Sequence, residues 1–167
     1  MTGQPLASGG QIGKVNAMTP ALWQAVIARL KTIYPSARLT AVDDFNARIK
    51  VKDSTAKLRA FYQPREGDVP GEAKVWLSLN GQTELGAISS FVIEQERYAK
   101  SFKFPLHFNQ KISKRLPDGL GEATLTFKAG VVSWHNDELI QRIASFYAES
   151  IGTLLNLHAE LTLKDNS

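Results

Sequence analysis

The chain of 167 residues has the length of one ordinary domain, and its 43% hydrophobic and 22% charged residues exclude a disordered chain. The absence of cysteine excludes disulfides, thiolate zinc sites and cysteine nucleophiles, and it fits a reducing compartment, so we expect a cytoplasmic protein. No apolar run reaches the ~18 residues of a membrane span, and the formal charge of +4 favours acidic partners slightly.

The beginning of the sequence predicts a flexible tail followed by a helix. Residues 1–17 are rich in Gly, Ser and Gln and have almost nothing to bury, which leaves residues 18–164 as a single domain. Thr19 is a good N-cap and Pro20 a good first helical residue, while Pro35 ends the helix. The apolar stripe recurs at helical spacing through Leu22, Val26, Leu30 and Ile33.

Three strands are predicted next. Apolar and polar residues alternate strictly in FNARIKVK (45–52), and AKLRAFYQ (56–63) returns after the turn residues 53–55, so the two segments predict a hairpin. The polar loop 64–72 contains two prolines and two glycines. A third strand, AKVWLSLN (73–80), ends at an Asn-Gly turn signal.

The middle of the sequence is less regular. We predict a short helix from Ser90 within 87–99 and an extended segment over 101–108, where Pro105 indicates an edge or a bend. The segments EATLTF and VVSWH predict a second hairpin joined across Lys128-Ala129-Gly130.

The last third predicts a helix and then a strand. Asn136 is placed to cap a helix that begins near Asp137 and stops at Gly152. Residues 155–163 alternate between apolar and polar side chains, which predicts a final C-terminal strand. We therefore predict a single α+β domain with a largely antiparallel sheet, and with an N-terminal helix and a second long helix packed on one face.

The outward side chains of the predicted sheet are the most suggestive feature. If the three consecutive strands pair in order, strand parity collects cations and two rings on one face. Cations neutralise phosphates, and exposed rings stack on bases, so the face suits single-stranded or unpaired nucleic acid. The alternative is a solvated lysine-rich face. The residues of the predicted site are Arg48, Lys50, Lys52, Lys57, Arg59, Phe61, Lys74 and Trp76.

A second basic segment supports the same interpretation. Residues 100–115 contain five Lys or Arg residues and no acid, and the part from 109 onward is typical of an exposed loop that contacts a phosphate backbone. Basic loops also maintain solubility or bind acidic protein surfaces. The contacts predicted from this segment are Lys111, Lys114 and Arg115.

Catalytic patterns are weak. Asp43-Asp44 with Glu72-Ala-Lys74 resembles the acid and Glu-x-Lys set of restriction-type nucleases, but two predicted strands intervene and Glu72 follows a loop. A ββα-metal nuclease would need further ligands beside His135, and His107 and His158 are far away in sequence. We predict no catalytic residue, no metal site and no cofactor.

The sequence thus predicts a non-catalytic, nucleic-acid-binding protein whose partner is nucleic acid or an acidic protein surface, and not a membrane. One alternative is a small inhibitor or adaptor that docks on a larger complex, possibly one that handles nucleic acid. A further alternative is an apolar ligand pocket, for which aromatic residues are available at Trp23, Phe102, Phe104, Trp134, Phe146 and Tyr147.

Overall fold

The computed structural model describes residues 13–43, 45–63, 71–111, 114, 119–130 and 137–165. Three helices and six strands follow one another along the chain. In order they are α1 (Gly13–Ile33), β1 (Arg38–Ala41), β2 (Asn46–Lys50), β3 (Lys57–Gln63), β4 (Gly71–Asn80), α2 (Leu85–Ser101), β5 (Leu106–Lys111), β6 (Leu120–Gly130) and α3 (Asp137–Asp165).

The six strands form one sheet in the order β1-β2-β3-β4-β6-β5, and every neighbouring pair is antiparallel. The α+β class and the antiparallel sheet are therefore confirmed. Strands β1–β4 pair consecutively, and the pairing of β2 with β3 is the hairpin that the sequence predicted. Strand β6 then pairs with β4 and places β5 at the sheet edge, as Pro105 had indicated.

Alternation along each strand separates a covered face from an open face. On β4, Ala73, Val75, Leu77 and Leu79 are all fully buried, whereas the side chains between them are half-buried. The same parity holds on β3, where Leu58, Ala60 and Tyr62 are buried. An antiparallel sheet with apolar residues on one side buries that side and can leave the other in water.

Helix α3 packs on the covered face against β4 and β6, and helices α1 and α2 flank it. Its central residues Ile143, Phe146, Tyr147 and Ile151 are buried, and burying each such side chain contributes about 1.5–3 kcal/mol. The Tyr147 hydroxyl donates a hydrogen bond of 2.6 Å to the Phe61 carbonyl oxygen, which fastens the helix to β3. None of the helices in the described ranges has the apolar length needed to cross a bilayer.

The predicted C-terminal strand is wrong, because α3 continues to Asp165. The apolar residues over 155–163 that suggested a strand also continue a helical apolar stripe that begins further upstream. Ile151, Leu154, Leu155, His158 and Leu161 are buried at helical spacing, whereas Leu163, which the strand pattern had placed inside, is 72% exposed. Gly152 does not end the helix.

The turn predicted at Lys128-Ala129-Gly130 is also wrong, because these residues continue β6. Lys128 lies opposite Glu72 and Gly130 opposite Gly71, with an irregularity in the register between Gly71 and Glu72. Glycines are tolerated in a strand where it bulges, so Gly130 marks an irregular strand end instead of a turn. The second strand of that predicted hairpin, 131–135, lies outside the described residues, as does the Asn136 cap.

Element ends differ from the prediction in further places. Strand β5 covers Leu106–Lys111, so residues 109–111 belong to a strand and not to the predicted loop. Helix α1 begins at Gly13, so Thr19 and Pro20 lie inside it and residues 13–17 of the predicted tail are helical; residues 1–12 lie outside the described residues. Helix α2 begins at Leu85 and not at Ser90. Strand β1 was not predicted, since its side chains are mostly exposed and show no alternation.

Candidate nucleic-acid interface

The open face of the sheet brings together the residues predicted from strand parity. Arg48 lies opposite Arg59 in the pairing of β2 with β3, and Arg59 lies opposite Trp76 in the pairing of β3 with β4. Phe61 lies opposite Lys74 in the same way. The antiparallel register thus places cations and rings from three successive strands side by side.

The charge of this face is concentrated on β1–β3. Arg38, which sequence reasoning missed because β1 was not recognised, lies opposite Lys50 on the same face. All five cations of this half are exposed, and none of them has an ion-pair partner among the described residues. We call this group the cationic half of the open face: Arg38, Arg48, Lys50, Lys57 and Arg59.

The two predicted stacking rings also meet on the open face. The ring centroids of Phe61 and Trp76 are 6.2 Å apart with an interplanar angle of 41°, and both side chains are half-buried. A shallow groove of about 370 Å³ passes beside Trp76 and is lined by Arg48, Arg59 and Lys57 among other residues. The groove therefore combines a ring surface with positive charge.

The half of the face on β4–β6 is electrically mixed. Glu72 pairs with Lys74 at 3.1 Å, and Glu122 pairs with Lys111 at 3.2 Å. Exposed ion pairs of this kind contribute only about 0–1 kcal/mol. Lys74 and Lys111 lie on the predicted face, but a phosphate would have to compete with a carboxylate for each of them.

The structure does not place the other three predicted contacts on the sheet face. Lys52 follows β2 in the turn, is exposed, and donates its backbone N–H to Ser36 Oγ at 3.1 Å, so it does not belong to the sheet face. Lys114 is exposed. Arg115 lies outside the described residues.

The nuclease-like acids have structural partners. One carboxylate oxygen of Asp43 accepts hydrogen bonds from the Asn46 side-chain amide at 2.9 Å and from the Phe45 backbone N–H at 2.8 Å. The first of these bonds, followed by the second, lowers the pKa of Asp43. Asp44 lies outside the described residues, and Glu72 pairs with Lys74. The hydrogen bonds of Asp43 stabilise the turn between β1 and β2.

The two histidines in the described part of the chain, His107 and His158, are not brought together as a ligand set. His107 is exposed on the open face of β5, whereas His158 is buried on α3 with its Nε2 atom 2.8 Å from Glu84 Oε2. His135 lies outside the described residues. Across the described part of the chain, no group of three or more His, Asp or Glu side chains could hold a metal ion.

Most of the aromatic residues considered for an apolar pocket are packed in the core of the described part of the chain. Trp23, Phe146 and Tyr147 are buried, and Phe102 and Phe104 are partly buried against the same core. The rings of Phe104 and Phe146 meet edge to face with centroids 4.8 Å apart. These five residues therefore form part of the core, and Trp134 lies outside the described residues.

Comparison with known proteins gives no family. No protein-family model matches the sequence, and a search of curated proteins found no match. Function has to be inferred from the site itself.

Proposed function

We propose that this protein binds single-stranded or unpaired nucleic acid through the open face of β2–β4 without catalysing a reaction on it. The observation that carries the proposal is the row Arg48, Arg59 and Trp76, which the strand register places side by side across three strands. The row presents two guanidinium groups and a ring to the same ligand.

The position of Arg48 directly opposite Arg59 lowers the stability of the sheet when no anion is bound. Like charges directly opposite each other in a sheet are destabilising. The size of the effect is comparable to the roughly 0.2–1 kcal/mol that a favourable cross-strand pair contributes. No carboxylate among the described residues pairs with either guanidinium group. A bound phosphate supplies the missing negative charge and forms charge-assisted hydrogen bonds with both groups.

The rings favour unpaired bases over a duplex. Stacking of a base on an aromatic side chain contributes about 1–3 kcal/mol and tolerates any base. Bases inside a duplex do not offer their faces, and side chains on a flat sheet do not reach into the deep, narrow major groove of A-form RNA. Phe61 and Trp76 are half-buried, so their rings are held in place and still reachable.

The acidic residues limit the extent of the proposed interface. Glu72 and Glu122 neutralise the cations beside them on β4–β6, so phosphates are expected to bind mainly over β1–β3. Lys74 and Lys111 contribute only where a phosphate displaces their carboxylate partners.

Fluorescence anisotropy across a salt series tests the proposal. The logarithm of the binding constant should fall linearly with the logarithm of the salt concentration, with a slope of about 0.7 for each phosphate neutralised on a single strand. Arg48→Glu with Arg59→Glu should abolish binding, and Trp76→Ala should weaken it about tenfold or more, as expected for one lost stacking contact.

The matched control reverses the same amount of charge on the helices, with Lys100→Glu and Arg142→Glu. Both residues are exposed and lie on α2 and α3, and the control should bind like the parent protein. Absence of oligonucleotide binding at low salt would overturn the proposal. A protein complex recovered from cells that survives nuclease treatment and is lost in the Arg48 and Arg59 variant would instead identify an acidic protein surface as the ligand.

A further inference from the structure

A second positively charged feature lies at the end of the sheet, around the turns that follow α1 and β2. A cleft of about 520 Å³ is lined there by the last turn of α1, the start of β1 and the turn between β2 and β3. This volume lies within the range of about 300–1,000 Å³ that is typical of small-ligand sites. We call it the terminal cleft; its cations are Lys31, Arg38, Lys50 and Lys52.

The charge of the terminal cleft is strongly unbalanced. Among the described residues, four cations and a single acid, Asp53, line it. All five side chains are exposed, and none of them forms an ion pair with another residue in the described part of the chain. The cations come from three separate segments that the fold brings together around one concave space, instead of following one another along a solvated strand or helix face.

The walls of the terminal cleft are tied together by hydrogen bonds. Ser36 Oγ accepts the Lys52 backbone N–H at 3.1 Å, which joins the turn after α1 to the turn after β2. The latter turn is closed by the Ser54 N–H bond to the Val51 carbonyl oxygen at 3.2 Å. Asp53 has a φ of 70°, a conformation that Asp tolerates better than most residues. The turn that carries Lys52 thus has a defined conformation and is joined to the turn after α1.

We propose that the terminal cleft binds a terminal phosphate group, the phosphomonoester at the end of a nucleic-acid strand or on a small molecule. A phosphomonoester carries about −1.5 to −2 charges at neutral pH, more than the single charge of a phosphodiester inside a strand, so it gains more from four cations. Arg38 and Lys50 belong both to this cleft and to the cationic half of the open face. A strand lying on that face can therefore end in the cleft.

Lys31 has a competing structural explanation. It lies in the last turn of α1, where a cation interacts favourably with the helix dipole. That role predicts a lower thermal stability for Lys31→Gln and no effect on phosphate binding. The two explanations are separated by measuring both quantities on the same variant.

The test compares short single-stranded oligonucleotides of one sequence that differ in the terminal group. One carries a 5′-phosphate, one a 3′-phosphate, and one has hydroxyls at both ends. The fluorescent label is attached away from the terminal group that varies. One of the phosphorylated strands should bind about three to ten times more tightly at low salt, with a salt slope steeper by about 0.7. Equal affinity of all three strands would overturn the assignment to strand ends. Isothermal titration with inorganic pyrophosphate tests the small-molecule source, and ³¹P spectra of the same mixture report its binding.

Variants separate the cleft from the sheet face. Lys31→Gln with Lys52→Gln should remove the preference for the terminal phosphate, whereas Lys57→Gln should weaken all strands and keep the preference. Asp53→Asn keeps a residue that tolerates positive φ and removes the only acid of the cleft lining, so it should increase the preference. Lys100→Gln with Arg142→Gln, which removes the same charge from the helices, should leave it unchanged.

The part of the proposal that concerns strand ends rests on the function proposed above. The outcomes distinguish a failure of the cleft proposal from a failure of the sheet-face function. Strands that bind equally with or without a terminal phosphate support the sheet-face function and overturn the assignment of the cleft to strand ends; if pyrophosphate also fails to bind, the cleft proposal is overturned. Pyrophosphate binding that is lost in the Lys31 and Lys52 variant, without binding of any oligonucleotide, supports the cleft and overturns the sheet-face function. No binding of either probe overturns both.

Discussion

His158 Nε2 lies 2.8 Å from Glu84 Oε2, a contact that joins the C-terminal half of α3 to the residue immediately before α2. His158 is 5% exposed, so its polar ring atoms are removed from water. The other carboxylate oxygen of Glu84 accepts the Asn80 backbone N–H at 3.1 Å. The Glu84 carboxylate therefore contacts both a buried ring nitrogen and a backbone N–H at the junction of β4, α2 and α3.

Glu84→Ala is expected to destabilise the protein by about 1–3 kcal/mol, because it leaves a buried ring nitrogen and a backbone N–H without their partner. The free energy of unfolding from urea denaturation measures the loss. Glu96→Ala on the exposed surface of α2 is the control and should change the free energy by less than about 0.5 kcal/mol. Equal unfolding midpoints for the two variants would show that the junction contributes no stability.

Gly152→Ala is expected to stabilise the protein by about 0.5–1 kcal/mol, because alanine is the better residue inside a helix. An added Cβ would meet only the Tyr34 side chain, at 3.7 Å from its hydroxyl oxygen, which is ordinary contact. Thermal or urea unfolding measures the gain. A loss of stability would contradict the continuous helix over Asp137–Asp165.

Gly121→Ala should have the opposite effect. A Cβ at this position would lie 3.0 Å from Phe108 Cζ and 3.4 Å from Ile88 Cγ1, so the ring or the helix must shift. Overpacking of this kind costs about 1–3 kcal/mol. Adding Phe108→Leu should recover part of the lost stability, and a double variant no more stable than Gly121→Ala alone would contradict the proposed clash.

Two of the buried tyrosines, Tyr62 and Tyr147, predict how stability depends on alkaline pH. Burial raises the pKa of Tyr62 to about 12 from its usual 10, and burial followed by the neighbouring Tyr62 raises the pKa of Tyr147 well above that usual value. The folded protein therefore keeps protons that the unfolded chain loses above pH 10. This contribution to stability is complete below pH 10 and is lost as the pH rises toward 12.

Unfolding free energies measured from pH 8 upward test this dependence. The parent protein should lose stability steeply above pH 10, and Tyr62→Phe should show a shallower decline over the same range, because it removes one of the shifted groups. The two proteins differ only at this residue, so the comparison between them isolates the tyrosine. Parallel curves would contradict the raised pKa of Tyr62.

The fold class followed from the sequence where one periodicity dominated. The patterns at 45–52, 56–63 and 73–80 predicted three strands and, on the condition that they pair in order, one common outward face; β2, β3 and β4 occupy most of these segments. The prediction failed where two periodicities overlap. Leu155, Leu157 and Leu161 fit both a strand and a helix, and only the tertiary contacts of α3 with the sheet and with its flanking helices decide between them.

The candidate site was predictable to the same extent. Parity placed Arg48, Arg59 and Trp76 on one face, but it could not show that Glu72 and Glu122 pair with Lys74 and Lys111, since the position of β6 beside β4 depends on a long-range pairing. The terminal cleft was missed for a related reason. Lys31, Arg38 and Lys52 belong to different segments, and only the turns that follow α1 and β2 bring them together.

The strand order has a consequence for how the chain folds. Strands β1–β4 pair with their immediate neighbours in sequence, whereas the β4–β6 pairing joins residues separated by α2 and β5. Closing the longer loop has the larger entropic cost. We therefore expect strands β1–β4 to pair early and the pairing of β4 with β6 to limit the folding rate. The positively charged side of the molecule is then assembled from one continuous stretch of chain, before β6 and its acid Glu122 have docked.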